Sequence, residues 1–525
     1  MAATAKEDTG DDTLDELLKD TSRVEELSSD EEAVFRRGTN DATTPEINGV
    51  PFPGKGHQPA PKRRLADADL PPWLRTSTLA LPLYHPAFQT TTSESQHKTI
   101  AECLPLLTGQ DTQTLPLNTH GLPALRRTQH AAFLASTFNP LPAPYVVVDA
   151  SRPWLFYWTL AGLGALAQPT TPYRDRLIST VRPLQNPTGG FGGGHGQLSH
   201  CACTYATVLA LACAGGLRCV DRAAMWRWLG TVKQADGGFR MAVGAEEDIR
   251  GAYCAMTILT LLDLPLALPP DAPARAAGLA TFTDRLGEWV GSCQTYEGGI
   301  SGAPNNEAHG AYAFCALACL SILDAPSESI PRYLDVDALV RWLASMQTQP
   351  EGGFAGRTEK LVDACYSHWV GGCWALLQAA VPPPNRRSPS TPPSSAAGEV
   401  SERDLWSREA LIRYLLTCSQ QPGAKGGMRD KPSTRPDGYH TCYSLAGLSA
   451  AQNRYSYDFA GETVDAGGRL VAAFNWSVTG PSEAELEAWG CDGADVVGGV
   501  HPVFVVPMAV VERTRGMFEG LGGLS

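Results

Sequence analysis

An all-α fold, an α/α barrel of stacked helix pairs, is predicted by three features of this sequence. A glycine turn recurs five times: Gln185-Asn186-Pro187-Thr188-Gly189-Gly190-Phe191, Gln234 to Phe239, Gln294 to Ile300, Gln347 to Phe354 and Gln421 to Met428. Each copy is followed, roughly ten to fifteen residues on, by a run of small and aromatic residues: Thr204-Tyr205-Ala206, Gly251-Ala252-Tyr253-Cys254, Gly310-Ala311-Tyr312-Ala313-Phe314, Asp363-Ala364-Cys365-Tyr366 and His440-Thr441-Cys442-Tyr443. No stretch alternates with the period of two that strands require. Two helices joined by a glycine turn cannot bury an apolar face alone, so the copies must stack, and closing them into a ring puts the aromatic helices around a central cavity.

Taken in order, residues 1–75 are acidic and then Pro/Gly-rich, the composition of a disordered tail, with a basic cluster at Pro61-Lys62-Arg63-Arg64. Helices are expected near Leu104–Leu107 and Ala131–Phe138. Another begins near Asp149, where Ser151 is placed to cap and Pro153 falls in the first turn; Trp154 and Trp158, four apart, share a face. The barrel is expected over 76–460, interrupted at 382–404 by a Pro/Ser-rich insert that no packed helix can hold, and 461–525 is expected to close it.

Composition excludes several classes. The net charge of −13, about half of it in the first forty residues, argues against a nucleic-acid partner. No apolar run reaches bilayer length and no signal pattern opens the chain, so a soluble, cytoplasmic protein is expected. Its fourteen cysteines are scattered through apolar helical stretches, which suits reduced thiols, and without a Cys-x-x-Cys pair a four-cysteine zinc site is not expected.

The chemistry concentrates in Glu351–Trp369: a glycine turn, two cations (Arg357 and Lys360) spaced to face one phosphate across a helical turn, and Asp363 one residue from Cys365. Alone, the cations are more often solvated surface, and Cys365 reads first as a buried small hydrophobe. Together with His440 on the next repeat, Asp363 and Cys365 offer oxygen, sulfur and nitrogen, a set that suits zinc and leaves a fourth position open.

The run Gly189-Gly190-Phe191-Gly192-Gly193-Gly194-His195-Gly196-Gln197, the Glu307-Ala308-His309-Gly310 turn, Lys360-Leu361-Val362-Asp363-Ala364-Cys365-Tyr366 and Tyr439-His440-Thr441-Cys442-Tyr443 resemble, over about residues 145–455, the β-subunit family of protein farnesyltransferases. The resemblance implies an α/α barrel, a catalytic zinc on Asp363, Cys365 and His440, and an α-subunit partner. It implies transfer of farnesyl from farnesyl diphosphate to the cysteine of a carboxy-terminal Cys-aliphatic-aliphatic-X motif, with Ras-like GTPases among the acceptors. By the same resemblance His309, Arg357, Lys360 and Tyr366 hold the diphosphate, Lys360 and Tyr366 also being catalytic. Trp154, Tyr205, Arg250, Tyr253, Cys315, Trp369 and Tyr443 line the farnesyl chain. Ser151, Trp154, Trp158, His200, Ala202, Glu246, Arg250 and Tyr439 meet the peptide, and Asp430 is a candidate for magnesium. Cys203 in place of a usual proline and His368 in place of a usual apolar residue depart from the pattern. A geranylgeranyl-transferring β subunit is the nearest alternative; a terpene cyclase lacks its Asp-x-Asp-Asp cluster here, and a plain scaffold gives no reason for the metal set.

Overall fold

A helix that is apolar all round must lie inside. Cys201–Ala214 buries every residue but Ala202, and Gly310–Leu323 and Gly438–Gln452 bury nearly all of theirs. Val336–Ser345, by contrast, buries only Leu339, Trp342 and Leu343, one face at helical spacing. This difference sorts the helices of the computed structural model, which describes residues 66–79, 89–111, 114–381, 404–518 and 524, into an inner and an outer set. All of these residues except Leu141–Val148 belong to one compact unit, and the helices of both sets lie within it.

Six inner segments form a closed ring. Arg152–Ala165 packs on Cys201–Ala214, then come Ile249–Leu261, Gly310–Leu323, the broken pair Tyr366–Trp369 and Cys373–Ala380, and Gly438–Gln452, which returns to Arg152–Ala165. Outer helices alternate with them along the chain: Arg127–Ser136, Arg174–Val181, Arg222–Val232, Leu286–Ser292, Val336–Ser345 and Arg408–Tyr414.

The glycine turns lock each pair to the next. At the first glycine of each (Gly189, Gly237, Gly298, Gly352, Gly426) φ is positive, and a Cβ would collide with a carbonyl of the following outer helix. At the second, a Cβ would come within 2.6–3.0 Å of an aromatic ring on that same helix: Trp228 at Gly190, Trp289 at Gly238, Trp342 at Gly299, Tyr414 at Gly353 and Phe133 at Gly427. Only glycine satisfies both the backbone and the space. The last turn meets Phe133 of the outer helix Arg127–Ser136, so the contact that joins neighbours also closes the ring.

A glutamine in four of the five turns clasps the cap of the next outer helix. Gln294 donates to the Asp335 carbonyl (3.0 Å) and accepts from its N–H (2.8 Å); Gln185 does the same to Asp221, and Gln347 to Ser407. Geometry corrects the repeat register in two places. In the fifth copy the clasping residue is Gln420, not Gln421, accepting from the Arg126 N–H at 2.9 Å. In the second copy the equivalent position is Lys233, not Gln234; its buried ammonium donates to Gly237 O (2.6 Å) and Asp284 O (3.0 Å). In the second copy a lysine takes the clasp position with a glutamine next to it, and in the fifth the turn is longer and offers two adjacent glutamines.

Other expectations need amendment. Ser151 stands at the N-cap position of Arg152–Ala165 but makes no capping bond, while the first-turn proline is present. The tail expected through residue 75 ends earlier: Asp67–Asp69 and Pro72–Leu74 form short 3-10 turns, and Leu70 and Leu74 are buried in the core. Residues 1–65, with the basic cluster, and 382–403 of the insert lie outside the described residues. The expected segments at Leu104–Leu107 and Ala131–Phe138 belong to the longer helices Thr91–Leu107 and Arg127–Ser136. A small antiparallel pair, Arg454–Tyr457 with Trp476–Thr479, follows the last inner helix, where Tyr455 and Tyr457 did not stand out as a strand pattern.

His130 ties the ring closure together. Its Nδ1 accepts from the Gly427 N–H (3.0 Å) and its Nε2 meets Gln420 Oε1 at 2.9 Å, and burial pushes its pKa down to about 4. A histidine with its folded pKa below its unfolded value contributes stability that is complete above about pH 6.5 and is lost as pH falls toward 4, by at most about 1.4 kcal/mol per pH unit. We therefore expect thermal stability to fall between pH 6.5 and 4.5, and His130→Gln, which keeps an acceptor and a donor but cannot titrate, to show a shallower fall in calorimetry. Parallel curves for the two proteins would count against this role.

Candidate metal centre and cavity

The inner helices begin at the same end of the ring, and four of them are capped by a side chain that turns toward the helix's own first N–H groups. His200 Nδ1 accepts from Ala202 N–H (3.2 Å), Asp248 from Arg250 N–H (2.7 Å), His309 Nδ1 from Ala311 N–H (3.1 Å) and Asp437 from His440 N–H (2.7 Å). The positive ends of the inner helices thus converge on one mouth, a setting that favours anions.

At this mouth Asp363, Cys365 and His440 come together, all buried, with their ligand atoms within 4.8 Å of one another. Asp363 sits in the loop before Tyr366–Trp369 and accepts from the Cys365 N–H at 2.8 Å, which holds carboxylate and thiol side by side. His440 is supplied by the first turn of Gly438–Gln452; its Nδ1 is 2.6 Å from Asp437 Oδ2 and its Nε2 3.3 Å from Asp363 Oδ1. That Nε2 is buried without a hydrogen-bond partner among the described residues. Burial opposes both charges, and against it His440 holds Asp363 well below the usual carboxylate range, while Asp437 and Asp363 raise His440 well above the usual imidazole range. Burial, and then the neighbouring Asp363, push the Cys365 thiol far up. Three buried donors of mixed type, one with an orphaned nitrogen, fit a tetrahedral zinc, whose ligand atoms lie about 3.3–3.8 Å apart.

Beside the triad, the Tyr366 hydroxyl is 3.1 Å from His309 Nε2. Burial, then Arg357 and Arg250, hold His309 down to about 4. Arg357 is 40% exposed and pairs with Glu307 at 2.9 Å. Lys360 is exposed on the same turn, whose Glu359 has φ 62°. The expected helical spacing of Arg357 and Lys360 is thus corrected: they lie in an irregular turn joined by a Lys360 N–H to Arg357 carbonyl bond of 3.3 Å. Arg250 is gripped by Asp248 (2.7 and 3.0 Å), with Glu246 at 3.9 Å, and Glu246 and Arg250 both act on the partly buried His200. Asp430 lies buried next to the triad, in contact with the Lys431 ammonium, with Oδ1 unpartnered among the described residues; burial and then Asp363 push it up to about 7.

Below the mouth the inner helices contribute a closed circuit of rings. Trp154 meets Tyr205 (centroids 5.8 Å), Tyr205 meets Tyr253 (5.4 Å), Tyr253 meets Phe314 (5.9 Å), Phe314 meets Trp369 (5.6 Å) and Trp369 meets Tyr443 (4.4 Å). Tyr439 and Trp158 then lead back to Trp154 (4.9, 5.4 and 5.6 Å). Trp154, Trp158, Trp369 and Tyr439 keep part of their surface open. Cys315 is buried one position from Phe314, with its thiol raised by burial. Ser151 and Ala202 stand half-buried at the starts of the first two inner helices, where the Cys203 thiol donates to Ala150 O at 3.2 Å.

Comparison with known proteins agrees with this architecture. A family model of the prenyltransferase alpha-alpha toroid domain matches residues 125–506. A protein farnesyltransferase subunit beta from Pyricularia oryzae is 48% identical, over 83% of this chain and 82% of its own. The chain belongs to the protein farnesyltransferase β-subunit family. The subunit of the same name from Schizosaccharomyces pombe is 34% identical, over 81% of this chain and 96% of its own. Candida albicans protein geranylgeranyltransferase-I shares the fold, with a TM-score of 0.52 at 18% identity over 75% of this chain and 98% of that one. Within this prenyltransferase family, the sequence reading missed two residues that the geometry singles out. Phe314 completes the ring, and Asp437 braces His440. The Asp437-x-x-His440 spacing, a cap three residues before a ligand, was the available signal.

A carboxylate behind a ligating imidazole fixes its tautomer and raises its basicity. Asp437→Ala is expected to weaken zinc affinity about 10–100-fold, read by competition with a chromogenic chelator, with the circular dichroism of the fold retained. Unchanged affinity would remove Asp437 from the site.

Proposed function

We propose that this chain is the catalytic β subunit of a protein farnesyltransferase, which moves farnesyl from farnesyl diphosphate to the thiol of a carboxy-terminal Cys-aliphatic-aliphatic-X motif. One observation carries the proposal: the buried Asp363, Cys365 and His440 set lies at the mouth beside the His309–Tyr366 pair, with the circuit of aromatic rings on the same inner helices. A zinc ion held by these three residues would supply the charge that keeps an acceptor thiol ionised near neutral pH.

The chain's own residues account for the other half of the reaction. A carbon–sulfur bond forms at C1 of the donor as the C1–O bond breaks, and the electron pair leaves on the diphosphate. His309, Tyr366, Arg357 and Lys360 would donate to those oxygens as their charge grows, which lowers the barrier more than it tightens the ground state. For Arg357 the donor must replace the exposed Glu307 partner, a small loss. Asp430, with its unpartnered oxygen, would hold a magnesium ion against the diphosphate. Trp154, Tyr205, Arg250, Tyr253, Cys315, Trp369 and Tyr443 would enclose the hydrocarbon. Ser151, Trp154, Trp158, Ala202 and Tyr439 would face the peptide, with His200, Glu246 and Arg250 toward its terminal carboxylate. The family implies a heterodimer with an α subunit, Ras-like acceptors and a cytoplasmic site of action; no helix among the described residues is long and apolar enough to cross a membrane.

The donor is fifteen carbons rather than twenty because Trp154 stands bulky in the wall, in contact with Trp158 and Tyr205. With a candidate α subunit co-expressed, wild type should transfer farnesyl to a Cys-aliphatic-aliphatic-X peptide far better than geranylgeranyl, and Trp154→Thr should move the kcat/KM ratio toward the longer donor. Equal use of both donors by wild type would favour the geranylgeranyl reading. Lys360→Ala and Tyr366→Phe should lower kcat by about 10–1,000-fold with peptide KM little changed; unaltered kcat would remove them from the diphosphate site.

A further inference from the structure

The carboxy-terminal segment reaches the ring of tyrosines from the side opposite the mouth. The turn from His501 to Val506 is buried, and Val505 holds the left-handed conformation at φ 55°, a strained choice for a β-branched residue. The His501 N–H donates to Val506 O (2.7 Å) and the Val505 N–H to His501 O (3.0 Å), while His501 Nδ1 accepts from the N–H groups of Val503 (3.2 Å) and Phe504 (3.3 Å). This bracing presents two carbonyls to the barrel. The Tyr157 hydroxyl donates to Val505 O (2.9 Å), and the Tyr253 hydroxyl donates to Val503 O (2.6 Å) and lies 3.2 Å from the Tyr205 hydroxyl. Tyr157 is fully buried and sets its ring edge-on against both Trp154 and Tyr205, at 5.9 Å from each.

We propose that this strained turn is the floor of the isoprenoid cavity and that Tyr157 is a positioning residue that fixes donor length by tying the Trp154–Tyr205 wall to it. The inference rests on the farnesyl-transfer reading above and extends it to a segment outside the wall itself. A donor with one more isoprene unit must push past the tyrosines. Doing so would part them from the Val503 and Val505 carbonyls and leave buried polar groups unpaired, a penalty that a shorter donor never meets. Loss of the Tyr157 hydroxyl removes one of the two anchors while the ring remains.

The test is the ratio of kcat/KM for the twenty-carbon and fifteen-carbon diphosphates on one peptide, measured on the co-expressed heterodimer. Tyr157→Phe is expected to raise the ratio about tenfold, and Val505→Gly, which keeps the carbonyl and relieves the strain, to leave it at the wild-type value. An active Tyr157→Phe enzyme with an unchanged ratio, whatever its melting temperature, overturns the proposal by making the bond merely structural. Equal shifts in both variants also overturn it, since packing of the turn would then be the cause. Should Tyr157→Phe not assemble, Tyr253→Phe reads the same ratio through the second anchor. Wild-type protein that transfers neither donor refutes the transfer reading, and this inference with it.

Discussion

The contact on which the rest of the structure depends is that of a Gly-Gly turn against the next outer helix. The first glycine lets the chain turn back at positive φ under a carbonyl, and the second lets an aromatic ring lie flat on the backbone. Because Gly426 and Gly427 repeat that contact on Gln129 and Phe133, the same local chemistry that stacks one pair on the next also closes the ring. A side chain at any of these positions would push neighbouring pairs apart. The glutamine clasps, and Lys233 in one copy, hold the cap of each outer helix in register with that turn.

Ring closure explains why the site is where it is. Each turn leads into the start of an inner helix, so five turns deliver five sets of first-turn residues to one mouth. The metal donors, the His309–Tyr366 pair and the Arg250–Asp248 pair are all such residues. About one helical turn deeper, roughly 5.4 Å along the helices, most of the aromatics meet in a circuit. Polar chemistry at the mouth and hydrocarbon below it follow from position along the helix, and the carboxy-terminal turn bounds the depth from the other side.

Much of this was legible in the sequence. The fold class followed from five repeated turns, and Asp363, Cys365 and His440 are brought together as their types and repeat positions suggested. What escaped had physical reasons. Lys233 was missed because a lysine stands where other copies have glutamine, and Gln420 because its turn is longer and a second glutamine follows it. Asp437 was passed over although it stands only three residues from His440, whereas Phe314 and Tyr157 escaped because their contacts across the ring join residues far apart in sequence. The floor lay in a stretch without repeats, where spacing carries no information; the hydroxyl–carbonyl bonds tie it to the ring of tyrosines.

The central claim is that the Asp363, Cys365 and His440 set holds a zinc that receives an acceptor thiol. Zinc-edge X-ray absorption on the co-expressed heterodimer tests it directly. The expected result is one sulfur at about 2.3 Å beside nitrogen and oxygen neighbours at about 2.0–2.2 Å, and a second sulfur when a Cys-aliphatic-aliphatic-X peptide is added. A first shell without sulfur, or one that the peptide leaves unchanged, would contradict it.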